Sequence, residues 1–204
     1  MKTLDVICLR MAMAVPFLYL GTLLVSAHFY PGYSHVRQAA SELGMAGAPR
    51  PEIFNVGFVV IGAAVLIGAV GYFRALQRLG AHKIWAWSTA LVLVGFAVAC
   101  AMAGIFPFPD TRHAGGELGL VIIFGPVLLA VALRKRREAR LLNLYSIAAG
   151  LLLVVTIAMM MGVGGVVTPA NDGMAQRVTA LAVYPWIGTA GYGLSVLSLR
   201  SAEA

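Results

Sequence analysis

Charged residues are scarce in this sequence, and their scarcity excludes an ordinary soluble domain. Asp, Glu, Lys and Arg make up 11% of the 204 residues, against roughly 25% in typical soluble domains. Hydrophobic residues make up 60%, and the mean hydropathy is +0.88. We therefore expect an integral membrane protein that forms one transmembrane helical bundle domain over residues 1–204.

Cysteine is also rare, which removes disulfide and thiol chemistry from consideration. The only two cysteines, Cys8 and Cys100, fall in or near apolar segments toward opposite membrane faces. A disulfide between them is therefore not expected, and the chain has neither a thiol redox motif nor the cysteine spacing of a metal site.

Alternation of apolar and polar residues with a period of two is absent, so a transmembrane β-barrel is not expected. Helices satisfy their own backbone hydrogen bonds in lipid, and about 20 apolar residues cross the hydrocarbon layer. The sequence predicts an all-α, polytopic membrane protein with six transmembrane helices. The predicted spans are Ile7–Phe29, Ile53–Leu76, Ile84–Phe106, Gly116–Leu133, Leu142–Gly162 and Val178–Leu199.

Positive charge is distributed unequally between the two sides of these spans. One side holds Lys2, Arg10, Arg74, Arg78, Lys83, Arg134, Lys135, Arg136, Arg137, Arg140 and Arg200, whereas the other holds Arg37, Arg50, Arg112 and Arg177. Positive residues in short loops remain cytoplasmic. Both termini are therefore predicted to be cytoplasmic in a multi-pass protein of the cell inner membrane.

The net charge of +7 does not indicate nucleic-acid binding. The basic residues stand in short loops beside the spans, without a separate domain or an aromatic platform. Anionic lipid at the cytoplasmic surface attracts such residues. We therefore expect membrane lipid, and no nucleic acid, as a partner.

Most of the other polar side chains lie on the opposite, outward side, where we look for chemistry. Acid–base chemistry requires a carboxylate and an imidazole in a partly dry pocket, where burial and charge shift proton affinities. The preferred pair is Glu42 and His113, with Asp110 as a third proton-transfer candidate and Arg177 available to hold an anionic group. The alternative is that Glu42 and Arg177 form an ion pair that only ties two outer loops together.

A zinc site is a weaker hypothesis for the same outward residues. His28, His35, His113, Glu42 and Asp110 are all potential ligands, but no two have the tight spacing of a His-Glu-x-x-His motif. Neither a metal nor a cofactor is predicted.

Several further residues are candidates for the pocket. His113 and Glu117 are four residues apart and share one face if an α-helix has already begun. Asn55 lies just inside the second span, where an unpaired amide is unfavourable, so it should bond to a loop or a neighbouring helix. Ser41, Asn55 and Arg177 are predicted to position substrate or one another. Trp186, like Tyr184 and Phe108, is interpreted either as part of the interfacial aromatic belt or as a wall of a pocket for a lipid-like substrate.

Short motifs occur in a characteristic order along most of the chain. They are Ser-Glu-Leu-Gly at 41–44, Asn-Val-Gly-Phe at 55–58 and Gly-Ile-Phe-Pro at 104–107, followed by Asp110, His113, Arg177 and Trp186. In these features the sequence resembles the domain-of-unknown-function 998 (DUF998) family of bacterial membrane proteins. The resemblance implies a six-helix bundle but no reaction, because the family carries no general biochemical assignment.

The functional hypothesis is a small integral membrane enzyme that acts on an apolar or amphiphilic substrate by acid–base chemistry, as an isomerisation, cyclisation or hydrolysis. One alternative is a small-solute transporter or channel. It would require broken helices and polar groups near the membrane midplane, whereas these spans are polar mainly at their outer ends. The other alternative is a non-catalytic subunit or sensor whose outer loops recognise a partner.

Overall fold

The structure is a computed structural model that describes residues 3–203, except for the side chains of residues 114–117 and 202–203. Its described residues are mostly helical and include no β-strand. The all-α prediction is thus confirmed. The six α-helices are α1 (Thr3–His28), α2 (Pro51–Arg78), α3 (Lys83–Ile105), α4 (Phe124–Leu133), α5 (Arg140–Met160) and α6 (Asp172–Glu203).

Five of these helices, all except α4, are long and apolar enough to cross a membrane. The chain is therefore a multi-pass membrane protein. Pro16 in α1 and Pro185 in α6 lie inside helices that continue past them, whereas Pro51 begins α2.

The fourth apolar segment differs from the uniform α-helical span predicted for Gly116–Leu133. It begins with a 3₁₀-helix, His113–Ile123 (11 residues), and continues as α4 (10 residues). A 3₁₀-helix rises about 2.0 Å per residue and an α-helix 1.5 Å, so the two together extend about 37 Å. Laid end to end, the two helices are comparable in length with a membrane span, whereas α4 alone is too short to cross one.

Helices that are consecutive in the sequence pack against each other, and the last helix packs against the first. Each α-helix packs against the next one, and α6 returns to contact both α1 and α2. Glycines in α2 allow close approaches to its neighbouring helices. A methyl group on Gly62 would lie 2.7 Å from the backbone oxygen of Ala97 in α3, and one on Gly71 would lie 2.9 Å from the backbone nitrogen of Leu9 in α1. Small residues at such crossings let helix backbones pack without a hydrophobic driving force.

We call the end of the bundle that holds the α2–α3 and α4–α5 turns the basic end, and the opposite end the loop end. At the basic end the buried carboxylate of Asp5, 1% exposed, forms ion pairs with Arg74 (3.2 Å) and Arg78. The guanidinium of Arg136 donates to the backbone oxygen of Leu79, the residue that follows α2 (2.8 Å). These contacts tie α1 to α2 and the α4–α5 turn to the α2–α3 turn.

Candidate functional site

At the loop end, the α1–α2 connection (residues 29–50), which is the first outer loop of the predicted topology, is docked on the beginning of α6. The backbone N–H of Met174 donates to the oxygen of Val36 (2.8 Å), and that of Ala40 donates to Oε1 of Gln176 (2.6 Å). Helix N-termini leave their first N–H groups without intrahelical partners. The loop thus supplies an acceptor for one of them and fixes its own position over the bundle.

Arg177 is the centre of this docking. Its guanidinium donates to the backbone oxygens of Gln38 (2.9 Å) and Gly173 (2.8 Å) and to the hydroxyl of Tyr33. Burial raises the pKa of Tyr33, an effect that the nearby Arg177 charge opposes. The pKa of His35 is lowered, first by burial and then by the charge of Arg177. Arg177 therefore binds the loop rather than standing free for an anion.

Glu42 belongs to the same loop, in a short 3₁₀-helix at Ala40–Gly44. Its carboxylate accepts from the backbone N–H of Ala39 (2.8 Å) and from the side-chain amide of Gln38 (3.1 Å). It forms an ion pair with neither His113 nor Arg177. The structure thus does not bring together the preferred acid–base pair, and both Glu42 and Arg177 contact Gln38 instead of each other.

Asp110 is held in a local turn at the surface. Its carboxylate accepts from the backbone N–H of Arg112 (2.8 Å) and pairs with that residue's guanidinium (2.7 Å). The hydrogen bonds from Arg112 lower the pKa of Asp110 to about 2. The guanidinium also lies 4.0 Å from the ring centroid of Phe106. Asp110 is therefore an ionised turn residue and does not line the cavity described next.

A cavity of about 520 Å³ lies at the loop end, beneath the first outer loop. Its wall contains two stacked aromatic pairs: the rings of Tyr19 and Tyr184 stack with centroids 3.9 Å apart, and those of Phe54 and Phe58 with centroids 4.3 Å apart. The remaining wall residues come mostly from α3, the 3₁₀-helix at 113–123, α5 and α6, and include Phe96, Ala103, Phe108, Gly119, Leu120, Ile122, Ile157, Met160, Met161, Ala180 and Val183. A large apolar cavity with few polar groups is typical of a small-molecule site.

Among the described side chains, four polar ones line this cavity in addition to the two tyrosines: Ser41, His113, Gln176 and Thr179. Nδ1 of His113 lies 2.9 Å from the backbone oxygen of Phe106. A carbonyl oxygen only accepts, so Nδ1 carries the hydrogen, and Nε2 of the neutral ring has a free lone pair. The His113 imidazole is therefore fixed in the tautomer that can accept a proton from a bound molecule.

The sequence predicts that His113 and Glu117 share one face of an α-helix. The Glu117 side chain is among those that the structure does not describe. The backbone from His113 to Ile123 is 3₁₀-helical. With three residues per turn, positions i and i+3 share a face. The α-helical spacing behind that pairing does not apply here.

Asn55 and Trp186 are placed away from the cavity lining. Nδ2 of Asn55 donates to the backbone oxygen of Gly44 (3.0 Å), which confirms that this amide bonds to a loop. Trp186 is 0% exposed, and its Nε1 donates to Oγ of Ser146 in α5 (3.2 Å). A methyl group on Gly125 would lie 2.9 Å from the indole ring. Trp186 thus packs between α4 and α5, whereas its neighbour Tyr184 lines the cavity.

Sequence reasoning missed Gln176, Thr179 and most of the aromatic wall. These aromatic residues stand on three different helices, and only their common position in the loop-end half of each helix could have indicated a shared wall: Tyr19, Phe54, Phe58 and Phe96. Among the residues whose side chains are described, no group of three His, Cys, Asp or Glu is placed to hold a metal ion.

Comparison with known proteins assigns the family. Residues 13–193 match the family described as "Protein of unknown function (DUF998)", and the chain belongs to that family. It is also 26% identical over 173 residues to the "Ascorbate-specific transmembrane electron transporter 2" of Zea mays, a match that covers 79% of this chain and 72% of that protein. No solved structure matches the chain.

Proposed function

We propose that this DUF998 protein is a small enzyme of the cell inner membrane that binds an amphiphilic molecule in the loop-end cavity and acts on it by acid–base chemistry. In this proposal the basic end faces the cytoplasm, so the cavity lies in the outer half of the membrane. The observation that carries the proposal is His113, an imidazole with one nitrogen held by Phe106 and its ring in the wall of an aromatic cavity.

The cavity divides the bound molecule into two parts. Its apolar part lies against Tyr19, Phe58 and Tyr184, and its polar part is met by Ser41 and Gln176 near the first outer loop. The side-chain oxygen of Gln176 accepts a hydrogen bond from the N–H of Ala40, and its side-chain amide hydrogens can still donate to a ligand. Specificity for an amphiphile therefore follows from the contrast between the apolar wall and the polar side chains near the first outer loop.

His113 is the proposed proton-transfer residue, since its free nitrogen can remove a proton and return it elsewhere on the same molecule. Such a cycle needs no carboxylate in addition to His113. This agrees with the positions of Glu42 and Asp110, whose carboxylates are hydrogen-bonded within the outer loops. An apolar wall holds little water, so isomerisation or cyclisation fits this cavity better than hydrolysis. Glu42, Asn55 and Arg177 then act as positioning residues that hold the first outer loop over the cavity.

The first test is the replacement His113→Asn. The Asn amide can still donate to the oxygen of Phe106, as Nδ1 does, but it cannot accept a proton at neutral pH. We expect the variant to fold normally, to lose turnover by about 10²- to 10⁴-fold, and to retain unprocessed substrate in its cavity. The measurement is mass spectrometry of the amphiphiles that co-purify with wild type and variant, expressed in the same cells.

A steric variant supplies the control for this experiment. Ala180→Leu fills the cavity wall and should remove the co-purifying amphiphile, whereas Val178→Leu, on the exposed surface of the same helix, should not. Identical amphiphiles in wild type and His113→Asn would exclude a catalytic role for His113. Unchanged binding in Ala180→Leu would show that the cavity is not the site.

Transmembrane electron transport is a second candidate, favoured by the maize relative's name. Such transport requires a redox group within the bundle, and a haem is usually held there by axial His, Met or Cys ligands. In the described spans, His28 and His113 stand at helix ends and His82 precedes α3. No pair of histidines thus lies in the middle of the bundle, and a haem there would have to rely on methionine or cysteine ligands. We expect the absorption spectrum of the purified protein to lack a haem Soret band, and a stoichiometric band would reverse this choice.

A further inference from the structure

We propose that the basic end carries a binding site for one anionic phospholipid, independent of the loop-end cavity and of the function proposed for it. A second cavity, of about 470 Å³, lies here between the α2–α3 turn and the α4–α5 turn. Its lining combines cationic side chains with apolar ones, and the side chains that matter most are His82, Ile84, Trp85, Arg134, Lys135 and Arg136.

The cations of this cavity are unequally available to a ligand. Arg136 is engaged with the Leu79 oxygen and with Glu138 (3.2 Å). Arg134 uses one nitrogen on the oxygen of Val131 (2.8 Å) and retains its other donors. Lys135 is exposed and forms no ion pair among the described residues. Arg134 and Lys135 are therefore the two cations free to meet a phosphate group.

His82 adds a directed donor to this pair. Its Nδ1 accepts the backbone N–H of Ile84 (3.3 Å). In the neutral ring, Nε2 must then carry the hydrogen. The cavity thus combines two positive charges with a neutral N–H donor, and the carboxylate of Glu138 is already paired with Arg136. This combination matches a phosphodiester, which accepts hydrogen bonds and carries one negative charge.

The apolar part of the lining identifies a lipid rather than free phosphate. Ile84 is 61% exposed and adjoins Trp85, so an apolar surface begins where the cations end. A free phosphate ion has nothing to place on that surface, whereas a phospholipid places its acyl chains there and its headgroup on the cations. Basic pockets between transmembrane helices bind anionic headgroups by this arrangement.

The experiment measures phosphatidylglycerol binding to the full chain in detergent by native mass spectrometry, with phosphatidylcholine as the neutral lipid. We compare wild type with Arg134→Ser/Lys135→Ser and with the control Arg10→Ser/Arg200→Ser, which removes two exposed positive residues of the same end outside the cavity. We expect the cavity variant to weaken phosphatidylglycerol binding about thirtyfold. The control should change it by less than about threefold.

Melting temperatures measured without added lipid check that both variants fold. We expect both to fold, because neither change removes the contact of Arg136 with Leu79. Equal losses in the two double variants would overturn the proposal in favour of general charge attraction. Equal binding of phosphatidylcholine and phosphatidylglycerol would overturn it as well. Displacement of phosphatidylglycerol by inorganic phosphate at equal concentration would show a phosphate site in which the apolar wall has no part.

Discussion

Trp186→Ala is expected to lower the free energy of unfolding by about 4 kcal/mol, in the range found when a buried aromatic side chain is truncated. The indole is fully buried against Gly125, and its loss also leaves the hydroxyl of Ser146 without its donor. The measurement is equilibrium unfolding in mixed micelles with increasing denaturing detergent. Near-normal stability combined with lost amphiphile binding would contradict this expectation and support the substrate-binding role predicted from the sequence.

A surface tryptophan provides the matched control for this change. Trp87 is 53% exposed on α3, where its ring lies near Phe73 at a centroid distance of 4.3 Å. Trp87→Ala removes the same number of atoms without opening a buried cavity, so its effect should stay below about 1.5 kcal/mol.

Arg177→Met is expected to destabilise the protein by about 3 kcal/mol and to release the first outer loop from α6. The change removes three hydrogen bonds from a partly buried guanidinium, to Gln38, Gly173 and Tyr33. Hydrogen bonds to charged groups contribute about 1.5–3 kcal/mol each when buried, and partial exposure reduces that sum. Hydrogen exchange of the loop amides, measured beside unfolding, should show faster exchange in residues 33–44.

The control for this variant is Arg112→Met. Arg112 has a carboxylate partner and an aromatic neighbour but is exposed, so its removal should change stability little. Unchanged loop protection in Arg177→Met would exclude the docking role and return Arg177 to the anion-binding role predicted from the sequence. The stability of Arg177→Lys should lie between those of wild type and Arg177→Met, because one ammonium cannot reach three acceptors with the geometry of a guanidinium.

Most of the fold could be predicted from the sequence, because hydrocarbon thickness and backbone hydrogen bonding leave few options for an apolar chain. The all-helical class and five of the spans followed directly. The fourth segment was different, since apolar content does not distinguish a 3₁₀-helix from an α-helix. The sequence around Gly115, Gly116 and Gly119 only indicates weak helix propensity, so the change of geometry at His113–Ile123 could not be anticipated.

The candidate site was less predictable because its members come from segments that are distant in sequence. His113 and Ser41 were selected as polar residues of the outward side, and both line the cavity. Glu42 and Asp110 were selected for the same reason, but local geometry engages each with its own neighbours. A sequence shows that a carboxylate is present, whereas only the backbone conformation shows whether an N–H group or an arginine has already occupied it.

The rim of the loop-end cavity determines the phase from which a ligand arrives. Leu120, Met160 and Met161 line the cavity and are also exposed on the outside of the bundle, Met161 by 74%. Under the proposed function, a lipid-soluble ligand would therefore partition into the bilayer first and reach the cavity by lateral diffusion. Its occupancy should follow the mole fraction of ligand in the membrane, so that adding empty vesicles or micelles lowers the occupancy when the total amount of ligand is held constant.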